Sequence, residues 1–308
     1  VAMRTGIVPE SAGVALRGAL ISPDPKVVES ALAVVTNLAG SKYTDIFAGT
    51  TGGEELSKAA TFTRHYLYDR GMSPEEVTKR YIEEQTPEYQ KKIKARIKSE
   101  DVNAIVKKEL KDSDIRGGFD DSWIPFNDPK LAFDPAARQR AMGDYEEAFR
   151  ENFAKNGDVA LSKKLALADM RNTWGTTNIS GANTVMKFPP ERSRVYAGID
   201  NVSEHIAQQA ISGIKEWNGA DVDRSKLRLT EIRGTAETWG SGRAPIYALS
   251  YVDKNGHVQT IPRPFYADPL KMKDDQTAKR AAESAKIQRR VEIEADNADL
   301  ARANFGVQ

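Results

Sequence analysis

The side chains able to do chemistry are few and scattered. The three histidines are His65, His205 and His257. None stands in the HExxH or HxxxH spacing that would set two ligands on one helical face around a metal. His65 and His205 read as surface residues of amphipathic helices, and His257 sits at a turn. With no cysteine in the chain, thiolate metal sites, cysteine nucleophiles and disulfides are all excluded. Gly49-Thr50-Thr51-Gly52-Gly53 has the glycine density of a phosphate cradle. It lacks the Lys-Ser/Thr that follows such a loop and has no apolar strand before it, so it reads as a flexible loop between helices. Gly6, Gly13 and Gly18 fit no dinucleotide fingerprint, and no GxSxG elbow is present. The carboxylate pairs Glu83-Glu84 and Glu146-Glu147 fall on highly charged helices. A general acid needs burial or a like charge to raise its pKa, and these read as solvated. The sequence therefore predicts no catalytic residue, no cofactor and no metal.

Two further groups of residues carry possible chemistry. Trp174-Gly175, Met186-Lys187-Phe188-Pro189-Pro190-Glu191 and Tyr196-Ala197-Gly198-Ile199 concentrate aromatics, glycine and proline. They suit either a ligand site or a rigid loop packing a helix end against a hairpin. The second reading is preferred, with Trp174, Phe188, Pro189, Pro190 and Tyr196 as the expected packing cluster. Basic residues gather at Lys91-Lys92-x-Lys94-x-Arg96-x-Lys98 and at Lys286-Ile287-Gln288-Arg289-Arg290. Such runs can neutralise phosphates, each contact steepening the salt dependence by roughly 0.9 in log–log slope. Glu83, Glu84, Glu100 and Asp101 dilute the first run, leaving at most weak, transient contact with DNA.

The elements that must position these residues are mostly helices. Asp24-Pro25 gives a cap and a first-turn proline, and Val27, Val28, Ala31, Val34, Val35 and Leu38 then recur at helical spacing up to Gly40. That face should bury against Val14, Leu16 and Leu20. Residues 54–69 form the next helix, and Ser73-Pro74-Glu75-Glu76 is a capping box. From Val77 to Lys111 charge is dense and the apolar stripe thin. Pro87 interrupts this stretch, and the remaining face calls for a solvent-bridging role or a partner chain. Phe119, Trp123, Ile124, Phe126 and Phe133 make residues 113–136 an aromatic-rich extended connector. Pro135 opens a helix reaching Asn156 with Tyr145, Phe149 and Phe153 on one stripe. Asp158 caps another, running to Trp174 with Leu161, Leu165, Ala168 and Met170 inward. Asn201-x-x-Glu204 is a capping box for a helix burying Val202, Ile206, Ala210, Ile214 and Trp217.

Only after residue 226 does the period change to that of strands, at Leu227–Thr230 and Ile246–Val252, with a turn at Asp253–Gly256 and a return to Ile261. The final helix, about 274–303, is polar almost all round and marginal on its own. Ile287, Arg289, Arg290, Val291 and Ile293 are its expected partner interface. The predicted fold class is mainly α: a multi-helix array with a small β-hairpin or α+β insertion near the C-terminal third. The expected units are a helical domain at 1–112, the connector at 113–136, a helical domain at 137–220, a β-hairpin unit at 221–270 and a partner-binding helix at 271–308.

The 308 residues are 40% hydrophobic and 29% charged, and 45 Lys and Arg balance 44 Asp and Glu. A net charge of +1 argues against a protein dedicated to nucleic acid. No apolar run approaches the roughly 18 residues of a membrane span, and no apolar core of signal-peptide length follows the N-terminus. The missing initiator Met suggests a chain that begins partway through a larger product.

Asp120-Asp121-Ser122-Trp123, Tyr145-Glu146-Glu147-Ala148-Phe149, Arg171-Asn172-Thr173-Trp174-Gly175-Thr176-Thr177-Asn178 and Val185-Met186-Lys187-Phe188-Pro189-Pro190-Glu191 together resemble large internal virion proteins of short-tailed bacteriophages. Thr5-Gly6-Ile7-Val8-Pro9 and Ser22-Pro23-Asp24-Pro25-Lys26-Val27-Val28 extend the likeness, which covers most of residues 5–262. The resemblance implies a core or ejection protein, packaged inside the capsid and ejected ahead of the genome to build a conduit across the host envelope. It implies as partners other internal core proteins, the portal, further copies of the chain, passing phage DNA and the host envelope. Its location would be the virion interior, then the host periplasm and cell envelope. Many such proteins carry a lytic transglycosylase domain with a catalytic Glu-Ser followed by Gly-Leu-Met-Gln. Glu29-Ser30 matches the dipeptide, but it lies mid-helix and nothing downstream continues the motif. The resemblance thus implies a non-catalytic segment, the alternatives being a peptidoglycan-acting enzyme domain in the Trp174–Gly198 region or a weak DNA-binding module.

Overall fold

The computed structural model describes residues 7–40, 46–47, 49–97, 100–109, 115 and 135–305, with 97, 100, 101, 135 and 295–305 given by backbone alone. The chain is mainly α-helical, with two small antiparallel sheets in its C-terminal half. Among the described residues three apolar cores organise it.

The first core belongs to α1 (Glu10–Leu20), α2 (Pro25–Ala39), α3 (Gly53–Arg64) and α4 (Pro74–Gln85). The caps form where the sequence places them. The Asp24 carboxylate accepts from the Lys26 N–H, and Ser73 and Glu76 make both halves of a capping box. Val28, Leu32, Val35, Leu56, Ala59 and Ala60 meet inside with Leu20 and Phe47. Val14 does not join them: it is 55% exposed, while Val27 and Val34 are 40% and 44% exposed. Ala12, Leu16 and Ala19 of α1 and Val27, Val34 and Leu38 of α2 line an open apolar groove of about 670 Å³ between the two helices. The glycine-rich loop before α3 is not a free loop. Thr50 Oγ1 donates to the Val8 carbonyl at 3.2 Å, the Thr51 N–H donates to Glu10, and Arg17 donates to the Thr51 carbonyl. At Gly53 a Cβ would lie 2.0 Å from the Phe47 carbonyl oxygen, so only glycine fits there.

The second core corrects the expectation of a partner chain for residues 77–111. After a π-helical turn at Tyr89–Ile93 come α5 (Lys94–Ile97) and α6 (Glu100–Glu109). Val102 and Val106 are buried in cis against Ala141, Tyr145 and Phe149 of α7 (Pro135–Asn156), together with Ala166 and Met170 of α8 (Val159–Met170). Helix α8 faces inward with Ser162, Ala166 and Met170, spaced by four. Leu161, Leu165 and Ala168, expected inside, are exposed. Helix α8 also ends at Met170, because Trp174 opens a hairpin that periodicity does not reveal. Its strands β1 (Trp174–Thr177) and β2 (Thr184–Lys187) have four residues each and pair Trp174 with Lys187 and Thr177 with Thr184.

The third core lies between α9 (Val202–Asn218) and a three-stranded sheet, β3 (Leu227–Glu231), β4 (Tyr247–Val252) and β5 (Val258–Thr260), in the order β3-β4-β5. Ile206, Ala210 and Ile214 pack on Leu227, Leu249, Tyr251 and Ile261. Trp217 falls beyond the sheet and stays 41% exposed. Asn201 adopts φ 53° and makes no side-chain cap. Glu204 instead pairs with Arg224, so the expected capping box is replaced by a tertiary contact. Helix α10 (Thr235–Gly240) bridges β3 and β4, and α11 (Pro269–Phe305) closes the chain.

The second core draws on both sides of residue 112, and the third on both sides of residue 220. Apart from Ile115 and the helical residues 135–136, the expected connector at 113–136, with Phe119, Trp123, Ile124, Phe126 and Phe133, lies outside the described residues.

Candidate functional site

Among the described residues, helix α11 is tied to the body at its start. Asp268 accepts from the Leu270 N–H, and Met272 is fully buried in the third core. Asp200 then accepts from Gln276 at 3.1 Å and from Arg280 at 2.7 Å. From Thr277 through Glu294 every residue is exposed. Ile287, Val291 and Ile293 are 64%, 59% and 58% exposed, Arg289 points to solvent, and Arg290 pairs with Glu294 at 3.0 Å on the same helix. These five residues do not share a face. At roughly 100° per residue, Ile287 and Val291 lie about 40° apart, whereas Ile293 stands about 200° round from Val291. No single flat partner covers both sides, so covering all three takes neighbours on opposite sides of the rod.

Trp174, Phe188, Pro189, Pro190 and Tyr196 are all buried, yet they divide between two cores. Trp174 sits in the second core and its Nε1 donates to Asp144 at 2.7 Å. Tyr196 sits in the third, its hydroxyl donating to the Ala267 carbonyl at 2.9 Å. Phe188 joins them. It takes the left-handed φ of 54°, uncommon for a bulky residue. Its N–H donates to the Thr173 carbonyl, and its own carbonyl accepts from the Tyr247 hydroxyl at 2.6 Å. Its ring packs on Trp239, whose Nε1 donates to the Pro189 carbonyl at 2.9 Å. The neighbouring Glu191 accepts on one oxygen from Thr177 Oγ1, the Asn178 N–H and Ser203 Oγ. That carboxylate oxygen is fully engaged in holding the loop.

The most concentrated electrostatics lie elsewhere, between the first and second cores. A π-helical turn, His65–Asp69, extends α3 and changes the phase of the residues that follow. Arg70 is buried, with guanidinium nitrogens 3.4 Å from Glu151, 3.7 Å from Glu147 and 3.7 Å from Asp169. Arg80 reaches Glu151 at 2.9 Å and lies over the Tyr66 ring at 4.1 Å. The Tyr66 hydroxyl donates to Glu151 at 2.8 Å. His65 is half-buried rather than a surface residue, with Nε2 3.2 Å from Glu147 and Nδ1 3.7 Å from Asp69. Asp69 and Glu147 together raise its pKa to about 9, against the opposing effect of burial. The imidazolium in turn lowers that of Glu147, while burial raises that of Asp169. His205, also expected at the surface, is buried, with Nδ1 4.0 Å from Asp275.

This ionic centre was missed as a pair of solvated glutamates at 146–147. Its readable signal is the acidic series Asp144, Glu147 and Glu151, at i, i+3 and i+7, running beside the aromatic stripe of the same helix. The adjoining cavity, lined by Arg70, Asp144 and Asp169, is only about 10 Å³, room for about one water. Such a centre is suited to holding helices together rather than receiving a substrate. Larger space exists between β2 and β3, where a cleft of about 350 Å³ is lined by Met186, Leu227 and Leu229. Its charged pair, Arg140 and Glu231, is closed at 2.8 Å.

Among the described residues no group of three or more His, Cys, Asp or Glu could hold a metal ion, and no helix is long and apolar enough to cross a membrane. Comparison with protein-family models, curated proteins and solved structures finds no match to this chain.

Proposed function

We propose that this chain is a structural, non-enzymatic assembly segment whose C-terminal helix associates with copies of itself or with sister proteins. The observation that carries the proposal is α11: 37 residues long, and exposed on every side from Thr277 to Glu294. Helices in proteins draw most of their stability from packing of an apolar face, and Ile287, Val291 and Ile293 supply apolar contacts on opposite sides. The motif resemblance gives the assembly its setting: the internal core of a short-tailed phage virion, then a DNA-ejection conduit across the host envelope. In that setting the partners are other core proteins, the portal and further copies of the chain, with phage DNA in transient contact.

The alternative roles draw less support from the site. A glycan-cleaving reading would rest on Glu191, whose Oε1 is engaged by three donors. A DNA-binding reading would rest on basic runs that are partly used within the chain: Arg96 donates to the Ala154 carbonyl, and Arg290 pairs with Glu294.

The test is sedimentation of the full chain and of a truncation, alone and with candidate core proteins. Met272 is wholly buried and Asp200 holds both Gln276 and Arg280, so the cut belongs after Arg280 rather than at Met272. The expected result is an oligomer or mixed complex for the full chain and a folded monomer for the truncation. A full chain that stays monomeric with every partner refutes the proposal.

A further inference from the structure

The first and second cores share no buried apolar residue among those described. What spans the space between them is charge. From the N-terminal side come His65, Tyr66, Arg70 and Arg80; from α7 come Glu147 and Glu151. Glu151 is the hub, only 12% exposed, with two guanidinium groups and a phenol converging on its carboxylate. Apolar burial is non-directional and tolerates sliding, whereas a converging ionic cluster has one good geometry and fails when its hub is lost. Among the described residues the N-terminal unit also meets the body where Arg64 pairs with Glu237, Lys155 pairs with Glu83 at 3.4 Å, Arg70 reaches Asp169 at 3.7 Å and donates to the Asp144 carbonyl at 3.3 Å, Gly71 lies close to Thr173 and Tyr68 lies beside Gly240.

We infer that the N-terminal helical unit, residues 7–85, is a dockable arm held by an ionic latch centred on Glu151, and that breaking the latch releases the arm while both apolar cores stay folded. The device is independent of the partner that α11 takes. It gives the chain two shapes, docked and released, without unfolding a core. Glu151 is a positioning residue here, setting one unit against another.

The chain has no native cysteine, so a dye pair can be placed cleanly at two exposed positions, Ser57→Cys in α3 and Lys164→Cys in α8. Energy transfer between the dyes reports docking, and hydrogen exchange reports each core. In Glu151→Gln, transfer efficiency should fall by roughly half or more, while amides at Val28–Val35 and Ala141–Phe149 keep their parental protection. His65→Gln, which removes a peripheral strand of the latch, should produce a smaller fall of the same kind. The control Glu294→Gln should change neither reading. Unchanged transfer in Glu151→Gln overturns the inference, because the unit is then held by something else. Loss of protection in both cores together also overturns it, because the two are then one cooperative body. If Glu151→Gln does not fold at all, the same comparison in His65→Gln decides, a fall in transfer with both cores protected supporting the latch.

Discussion

Helices α7 and α11 are both rich in acids and bases, and they use them in opposite ways. Glu151 on α7 is buried among two arginines and a tyrosine, whereas Glu294 on α11 makes a single pair with Arg290 and its side chain is 65% exposed. The difference is one of register. On α7 the series Asp144, Glu147 and Glu151 borders Tyr145 and Phe149, so the apolar stripe that enters the core takes the acids in with it. On α11 the large apolar residues are sparse and split between faces, and no stripe draws the charges in. Density of charge does not decide whether a helix is solvated; the position of that charge relative to the apolar stripe does.

That contrast can be tested from its strongest consequence to its weakest. Removing the hub carboxylate in Glu151→Ala takes from Arg80 its 2.9 Å partner, leaving it with Glu84, and leaves Arg70 with Glu147 and Asp169 at 3.7 Å. It should cost about 3 kcal/mol of the free energy joining the two units, measured by denaturant titration with a docking reporter. On α11 the large effect should fall on association instead. Val291→Asp should abolish the oligomer in sedimentation while leaving monomer stability within about 0.5 kcal/mol of the parent.

His65 sharpens the comparison through pH. Its folded pKa of about 9 lies above the ordinary imidazole value, so the folded state holds the proton more tightly than the unfolded one. The stabilisation is complete below about pH 6.5 and is lost as pH rises through about 9; discounted for the exposed part of the ring, it is worth about 2 kcal/mol. Stability measured from pH 6 to pH 10 should fall accordingly, and His65→Gln should flatten that part of the curve. A curve with the same slope in the variant would locate the titration elsewhere. A local contact should matter less. Ser73→Ala removes one half of a formed capping box and should cost about 1 kcal/mol in thermal or denaturant melts. Smallest of all, Arg290→Ala should change stability by about 0–0.5 kcal/mol, since its pair with Glu294 is exposed.

Much of the fold was legible because local chemistry fixes it. Asp24-Pro25, Ser73–Glu76 and Asp158 each cap a helix in the structure, and the alternation at Tyr247–Val252 appears as buried and half-buried residues in turn. The failures share a cause: they depend on which residues meet at long range. Helix α8 buries Ser162 and Ala166 rather than Leu161 and Leu165, with small side chains at the contact with α7, a choice that hydrophobicity alone inverts. The hairpin at Trp174–Lys187 is too short for periodicity to register, and its place is marked only by Gly175, where an added Cβ would press on Arg192 and Pro189. The ionic centre was hidden because the phase change at the π-helical turn His65–Asp69, which resets the register of the residues after it, Arg70 among them, leaves no mark in residue type. The exposed apolar residues of α11 were readable as such, but their separation onto opposite faces becomes plain only when the helix is taken as one unbroken rod.

That rod has a mechanical consequence. Beyond Arg280 it runs a further 25 residues to Phe305, about 37 Å at the usual helical rise. Asp200, which holds Gln276 and Arg280, therefore works as a pivot near one end of a long lever. Over that length a tilt of about 5° at the pivot displaces the tip by roughly 3 Å, more than half of one helical turn. The contacts at the base, Met272 in the third core and Asp200 with Gln276 and Arg280, thus govern where the far end points, although they lie far from it.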